Sequence, residues 1–106
     1  MRDAAVVLTT VGADTDAAAL ARTLVEERLA ACVSVLPPMS SVYRWKGQLE
    51  HDREQQLVIK TTIGRVAALE ARLKELHPYE LPEFVVLDAT AGAAYGAWLL
   101  ESTAAG

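Results

Sequence analysis

An α+β domain in the order β-α-β-β-α-β, followed by one further helix, is the architecture this sequence predicts. Three observations carry the expectation. Short β-branched runs alternate with segments of helical spacing, a Lys46-Gly47 turn joins two extended runs into an antiparallel hairpin, and Pro37, Pro38, Pro78 and Pro82 fall only where an element must bend or stop. This order is that of the ferredoxin-like split βαβ sandwich, whose helices cover one face of the sheet. At 106 residues the chain is long enough for one core and too short for two, so residues 1–106 are expected to form a single domain.

Ala4–Thr10, AAVVLTT, reads as strand one and is ended by Val11-Gly12-Ala13-Asp14. Asp14 or Thr15 then caps a helix whose Ala17, Leu20, Ala21, Leu24, Val25 and Leu29 follow helical spacing, predicting helix one as far as about Ala31. Cys32–Leu36 and Ser40–Trp45 read as one long strand bent at Pro37-Pro38, and Glu54–Thr62 as its antiparallel partner. Past Gly64, Val66, Leu69, Leu73 and Leu76 share a helical face, Glu70 and Lys74 form an i,i+4 pair, and Pro78 stops the helix with His77 at its end. Glu83–Thr90 makes strand four, and Tyr95, Trp98 and Leu99 mark a short terminal helix. The sheet face without helices is left to solvent or to a second copy of the chain.

Composition narrows the function classes. Ten basic residues against fourteen acidic ones give a formal charge of −4, and no Lys/Arg cluster alternates with aromatics, which argues against a nucleic-acid surface. No apolar run approaches the ~20 residues that span a bilayer. The N-terminal apolar stretch is too short for a secretory leader, and a single cysteine excludes a disulfide framework. A soluble, cytoplasmic protein is the expectation. With 52% of residues hydrophobic, many of them alanine, subunit interfaces are natural places to bury further surface.

Chemistry-bearing residues concentrate in Glu75–Phe84, ELHPYELPEF. Its prolines shape a turn, leaving His77, Tyr79, Glu80 and Glu83 to be explained. His77 at a helix C-terminus is suited either to capping and packing or, with the neighbouring carboxylates, to binding a ligand. No second His or Cys stands at a metal-ligand spacing, so only cooperation between subunits would complete a zinc site. Cys32, in AACVSV, has no charged sequence neighbour to activate it and reads as a structural thiol, and His51, in LEHDRE, as part of a solvated loop. Lys60 in LVIKTT either protects a sheet edge or points into a cleft, while Tyr43 and Trp45 alternate onto one strand face as an aromatic wall or an oligomer contact. No Gly-rich phosphate loop, catalytic triad or paired-carboxylate arrangement specifies an enzyme.

Together, EERLAACVSVLP, SSVYRWKGQLE, LVIKTT, LHPYELPEF and AYGAWLLEST resemble, in order and spacing over nearly the whole chain, the CutA divalent-cation-tolerance family. With no enzymatic activity and no organic cofactor expected, that resemblance implies a ferredoxin-like protomer in a tight PII-like homotrimer, its long hairpin reaching across subunits. It further implies a copper or divalent-metal response. Copper ligands proposed for some members are a thiol near the end of strand one and paired histidines before the HPY proline; here Thr9 and Leu76-His77 stand there, so His77 alone matches. Weak binding of a divalent ion such as Cu or Zn by His77, Glu80 and Glu83 is one expectation. The alternative is a PII-like trimeric sensor or scaffold that binds a small organic ligand or a protein partner at intersubunit clefts lined by Lys60, Tyr79, Tyr43 and Trp45.

Overall fold

A computed structural model describes residues 1–104; residues 105 and 106 of the expected domain lie outside it. Its elements are β1 (Ala4–Gly12), α1 (Ala17–Glu26), β2 (Cys32–Val35), β3 (Met39–Trp45), β4 (Gln48–Thr62), a 3-10 turn (Ile63–Arg65), α2 (Val66–Leu76), β5 (Val85–Ala89) and α3 (Ala93–Thr103). One antiparallel sheet runs β2-β4-β1-β5, with β3 pairing onto the outer part of β4. Because β4 lies between β2 and β1, the unit β1-α1-β2 is split by an inserted strand, as the ferredoxin-like order requires.

Strand parity assigns the two faces. In β1, Ala5, Val7, Thr9 and Val11 are buried, whereas Val6, Leu8 and Thr10 are only half-buried. Val7 and Val11 of this set meet Leu20 and Leu24 of α1, Leu69 and Leu73 of α2, and Leu57 and Ile59 of β4 in the main core. Fully burying such aliphatic side chains is worth about 1.5–3 kcal/mol each. A second cluster places Leu99 of α3 on Ala4 and Ala31, and Thr62 contacts Thr103 through their hydroxyls at 3.3 Å. Since Ala4 and Thr62 oppose each other on the other parity, α3 covers one end of the second sheet face. The rest of that face, with Val6, Leu8, Val58, Lys60, Val85 and Leu87, is uncovered in the single chain.

Several element boundaries depart from expectation. Helix α1 stops at Glu26, not Ala31, because Arg28 turns left-handed at φ 60°, with Leu29 N–H donating to Leu24 O and Arg28 N–H to Val25 O. This Schellman closure returns Leu29 to the core beside Leu24, so the apolar spacing that extended the predicted helix is produced by its cap. The single bent strand is two strands on one partner. Val35 faces Leu57 and Met39 faces Glu54, so four steps along β2–β3 match three along β4, a bulge at the proline pair. Strand β4 starts at Gln48 and runs 15 residues, which places His51 on the strand opposite Val42 rather than in a loop, though exposed as expected. Positive φ at Lys46 (50°) and Gly47 (78°) gives the two-residue turn whose twist suits a hairpin. The fourth predicted strand shortens to Val85–Ala89, since Glu83 and Phe84 belong to the preceding loop.

Candidate functional site

The loop after α2 is built around His77. Pro78 has no N–H and excludes the residue before it from helical geometry, so His77 takes φ −78°, ψ 132° while its own N–H closes the helix on Leu73 O at 2.8 Å. The imidazole turns inward and is only 7% exposed. Tyr79 N–H donates to Nδ1 at 3.1 Å, and Nε2 lies 2.6 Å from Thr10 O. A ring nitrogen that accepts an N–H carries no proton, so these partners assign the neutral tautomer with Nε2–H donating to Thr10. Both nitrogens are thereby engaged in tying the loop to β1.

Held in this way, the loop faces β3 and β4 across a groove of about 810 Å³. Tyr43 and Trp45 of β3, Glu54 and Gln56 of β4, and Tyr79, Glu80 and Glu83 of the loop line it. Glu54 is 6% exposed and accepts the Tyr79 hydroxyl at 2.7 Å. Burial, then this bond to the carboxylate, pushes the Tyr79 phenol well above the ordinary tyrosine range. Tyr43 donates to Asp52, and that bond is the main cause of a phenol pushed up to about 12. Gln56 Nε2 donates to Thr9 O at 3.1 Å and to Glu83 at 2.8 Å. At the mouth, Lys46 Nζ lies 3.5 Å from Glu80 and 5.5 Å above the Trp45 ring centroid.

The structure therefore unites Tyr43, Trp45, Tyr79, Glu80 and Glu83 and leaves three expected site residues elsewhere. His77 supports the groove from behind and is not part of its lining. Lys60 shares the β4 face of Glu54 but stands six residues away, about 20 Å along an extended strand. It does not line this groove, and it is no edge guard, because β4 is an inner strand. Cys32 is half-buried on the uncovered face opposite Lys60, outside both apolar clusters. Among the described residues no three His, Cys, Asp or Glu side chains converge on a point that would hold a metal ion. A divalent ion on His77 would have to displace Thr10 O or the Tyr79 N–H, so this donor set does not fit a ready-made metal site. Glu54, Gln56 and Lys46 were missed by sequence reasoning. The available signal was parity: Glu54, Gln56, Val58 and Lys60 alternate along one face, but only the register with β3, Met39 opposite Glu54, puts Tyr43 and Trp45 on that same face.

Fold and groove define the class: a ferredoxin-like α+β protein with a half-open sheet and an acidic, aromatic groove at the end of that open face. Within this class the chain belongs to the CutA1 divalent ion tolerance protein family, whose model matches residues 5–102. It is 46% identical over 99 residues to the divalent-cation tolerance protein CutA of Thermus thermophilus, covering 92% of this chain and 96% of that one. With the Pectobacterium atrosepticum CutA it shares 45% identity over 98 residues, 92% of this chain and 89% of the relative. The crystal structure of CutA from Xylella fastidiosa superposes with a TM-score of 0.89 at 40% identity, covering 96% of this chain and 99% of that one. No helix among the described residues is long and apolar enough to cross a membrane.

Proposed function

We propose that this chain is a non-catalytic homotrimeric sensor or scaffold of the divalent-cation-tolerance family, and that its working sites are the grooves between the β3–β4 hairpin and the Pro78–Phe84 loop. The observation that carries this reading is the groove itself, because a buried carboxylate, bonded to Tyr79 in a groove lined by four aromatic side chains, is costly to maintain for packing alone. Its place supports the trimer. The groove lies at the end of the uncovered sheet face, where Val85 and Leu87 are 44% and 49% exposed, and Val42 and Leu49 near the hairpin tip reach 65% and 72%. Apolar exposure of this extent calls for a partner surface, and a second and third copy provide one. The grooves then border subunit contacts.

In this reading His77 supports the site, and divalent-cation tolerance is exercised through a ligand or partner rather than a chelate on His77. Two measurements test it. Light scattering at micromolar concentration is expected to return a three-chain mass, and a monomer would remove the intersubunit site. Calorimetry with Cu(II) and Zn(II) is expected to show no strong binding that depends on His77. A tight 1:1 heat lost in His77→Ala but kept in His51→Ala would restore the metal-ligand reading.

A further inference from the structure

We infer that the groove takes an organic polycation, a ligand carrying two or more ammonium groups; this deepens, and rests on, the groove's being the working site. The first support is the hydrogen-bonding inventory. The Tyr43 and Tyr79 hydroxyls are committed to Asp52 and Glu54, and both Gln56 amide protons to Thr9 O and Glu83. Of the lining side chains, only the Thr10 and Ser41 hydroxyls and the Trp45 indole keep an uncommitted donor. The polar wall is otherwise made of acceptors, complementary to a ligand that brings donors.

Charge points the same way. Glu54, Glu80 and Glu83 line the groove and no Lys, Arg or His does. Among the described residues Glu80 has a cationic partner, Lys46, and Glu54 and Glu83 have none. Glu54 is the telling one, since a carboxylate this buried gains most from a countercharge, and its single hydrogen bond there engages one oxygen. Two uncompensated carboxylates match a ligand with two positive charges.

The protein also displays the recognition mode it would use. Lys46 belongs to the hairpin turn, yet its ammonium lies between the Trp45 face and the Glu80 carboxylate, an aromatic and carboxylate pair that both line the groove. At 5.5 Å from the ring centroid it is within cation–π range. It acts as a tethered stand-in for a ligand ammonium at the mouth, while the inner position, beside Glu54, has no such occupant. An anionic ligand meets the opposite: carboxylates on the walls, a mouth ammonium on Lys46 already paired with Glu80, and Lys60 about 20 Å along the strand from Glu54.

The test uses the full chain with Trp98→Phe, so that Trp45 is the only indole, titrated at low ionic strength with spermidine and separately with ATP as an anionic probe. Spermidine is expected to saturate one site per protomer with a change in Trp45 emission. Glu54→Gln, whose amide oxygen still accepts the Tyr79 hydroxyl, is expected to weaken binding at least ten-fold. Lys46→Gln is expected to tighten it several-fold by removing the tethered competitor. Should Glu54→Gln disturb folding by circular dichroism, Glu83→Gln serves instead with the same expected loss. Spermidine affinity unchanged by the carboxylate variants assigns binding to the overall negative charge and overturns the inference. A Trp45 response to ATP without one to spermidine overturns the cation assignment and leaves the groove as a ligand site. Silence with both probes fells the small-ligand reading together with the inference.

Discussion

Replacing His77 by alanine separates a supporting role from a ligand role. The imidazole makes two hydrogen bonds in a site that is 7% exposed, and its ring packs on that of Tyr79 at a centroid distance of 4.8 Å. Each hydrogen bond contributes about 1 kcal/mol net, and a ring contact of this kind about 0.5–1.5 kcal/mol. The expected loss for His77→Ala is therefore about 3 kcal/mol, a large share of a typical domain stability of about 5–15 kcal/mol. With urea m-values of about 1–3 kcal/mol per molar, the unfolding midpoint is expected to fall by about 1–3 M. The assay is urea unfolding followed by circular dichroism at one fixed protomer concentration, because association contributes to apparent stability. His77→Gln is expected to recover part of the loss, since an amide can donate to Thr10 O and accept from Tyr79 N–H. A change within about 0.5 kcal/mol, the range of ordinary surface substitutions, would refute the supporting role.

Tyr43 is expected to resist ionisation until pH approaches 12, read as absorbance near 295 nm in a Tyr79→Phe, Tyr95→Phe background. The folded value is raised, so its contribution to stability is complete below the unfolded tyrosine value of about 10 and is lost as pH rises through the folded one. Asp52→Asn is expected to lower that midpoint, and an unchanged curve would show that the carboxylate is not the cause. Gly96→Ala is expected to destabilise by about 1–3 kcal/mol in the same urea assay. An added Cβ would stand 2.6 Å from Met1 Cβ and Sδ, and Met1 is held by paired backbone bonds to Ala91, so a neutral result would mean that this N-terminal contact is weak. Arg28→Gly is expected to stabilise by about 1 kcal/mol, because glycine enters the left-handed cap at φ 60° without the Cβ penalty.

The order of elements was legible in the sequence for physical reasons local to the chain. Apolar spacing along Leu69, Leu73 and Leu76, the stop at Pro78 and the turn at Lys46-Gly47 depend on neighbours within a few residues. So did the grouping of Tyr43 with Trp45, because strand parity is a property of the strand alone. Family membership was legible too, being a matter of residue order and spacing. Where α1 stops was not, since Leu29 keeps helical spacing yet enters the core from a Schellman cap.

Pairing between distant segments was decided only by the tertiary structure. The one-residue shift at Pro37-Pro38 sets which β4 side chains share the face of Tyr43 and Trp45, and hence puts Glu54 rather than Arg53 on that face. His77 illustrates the same limit. Its position before Pro78 places it at a helix end, but whether its nitrogens face solvent or structure depends on Thr10, which is 67 residues away along the chain. A side chain's chemistry is intrinsic to its sequence position, whereas its partners are set by folding.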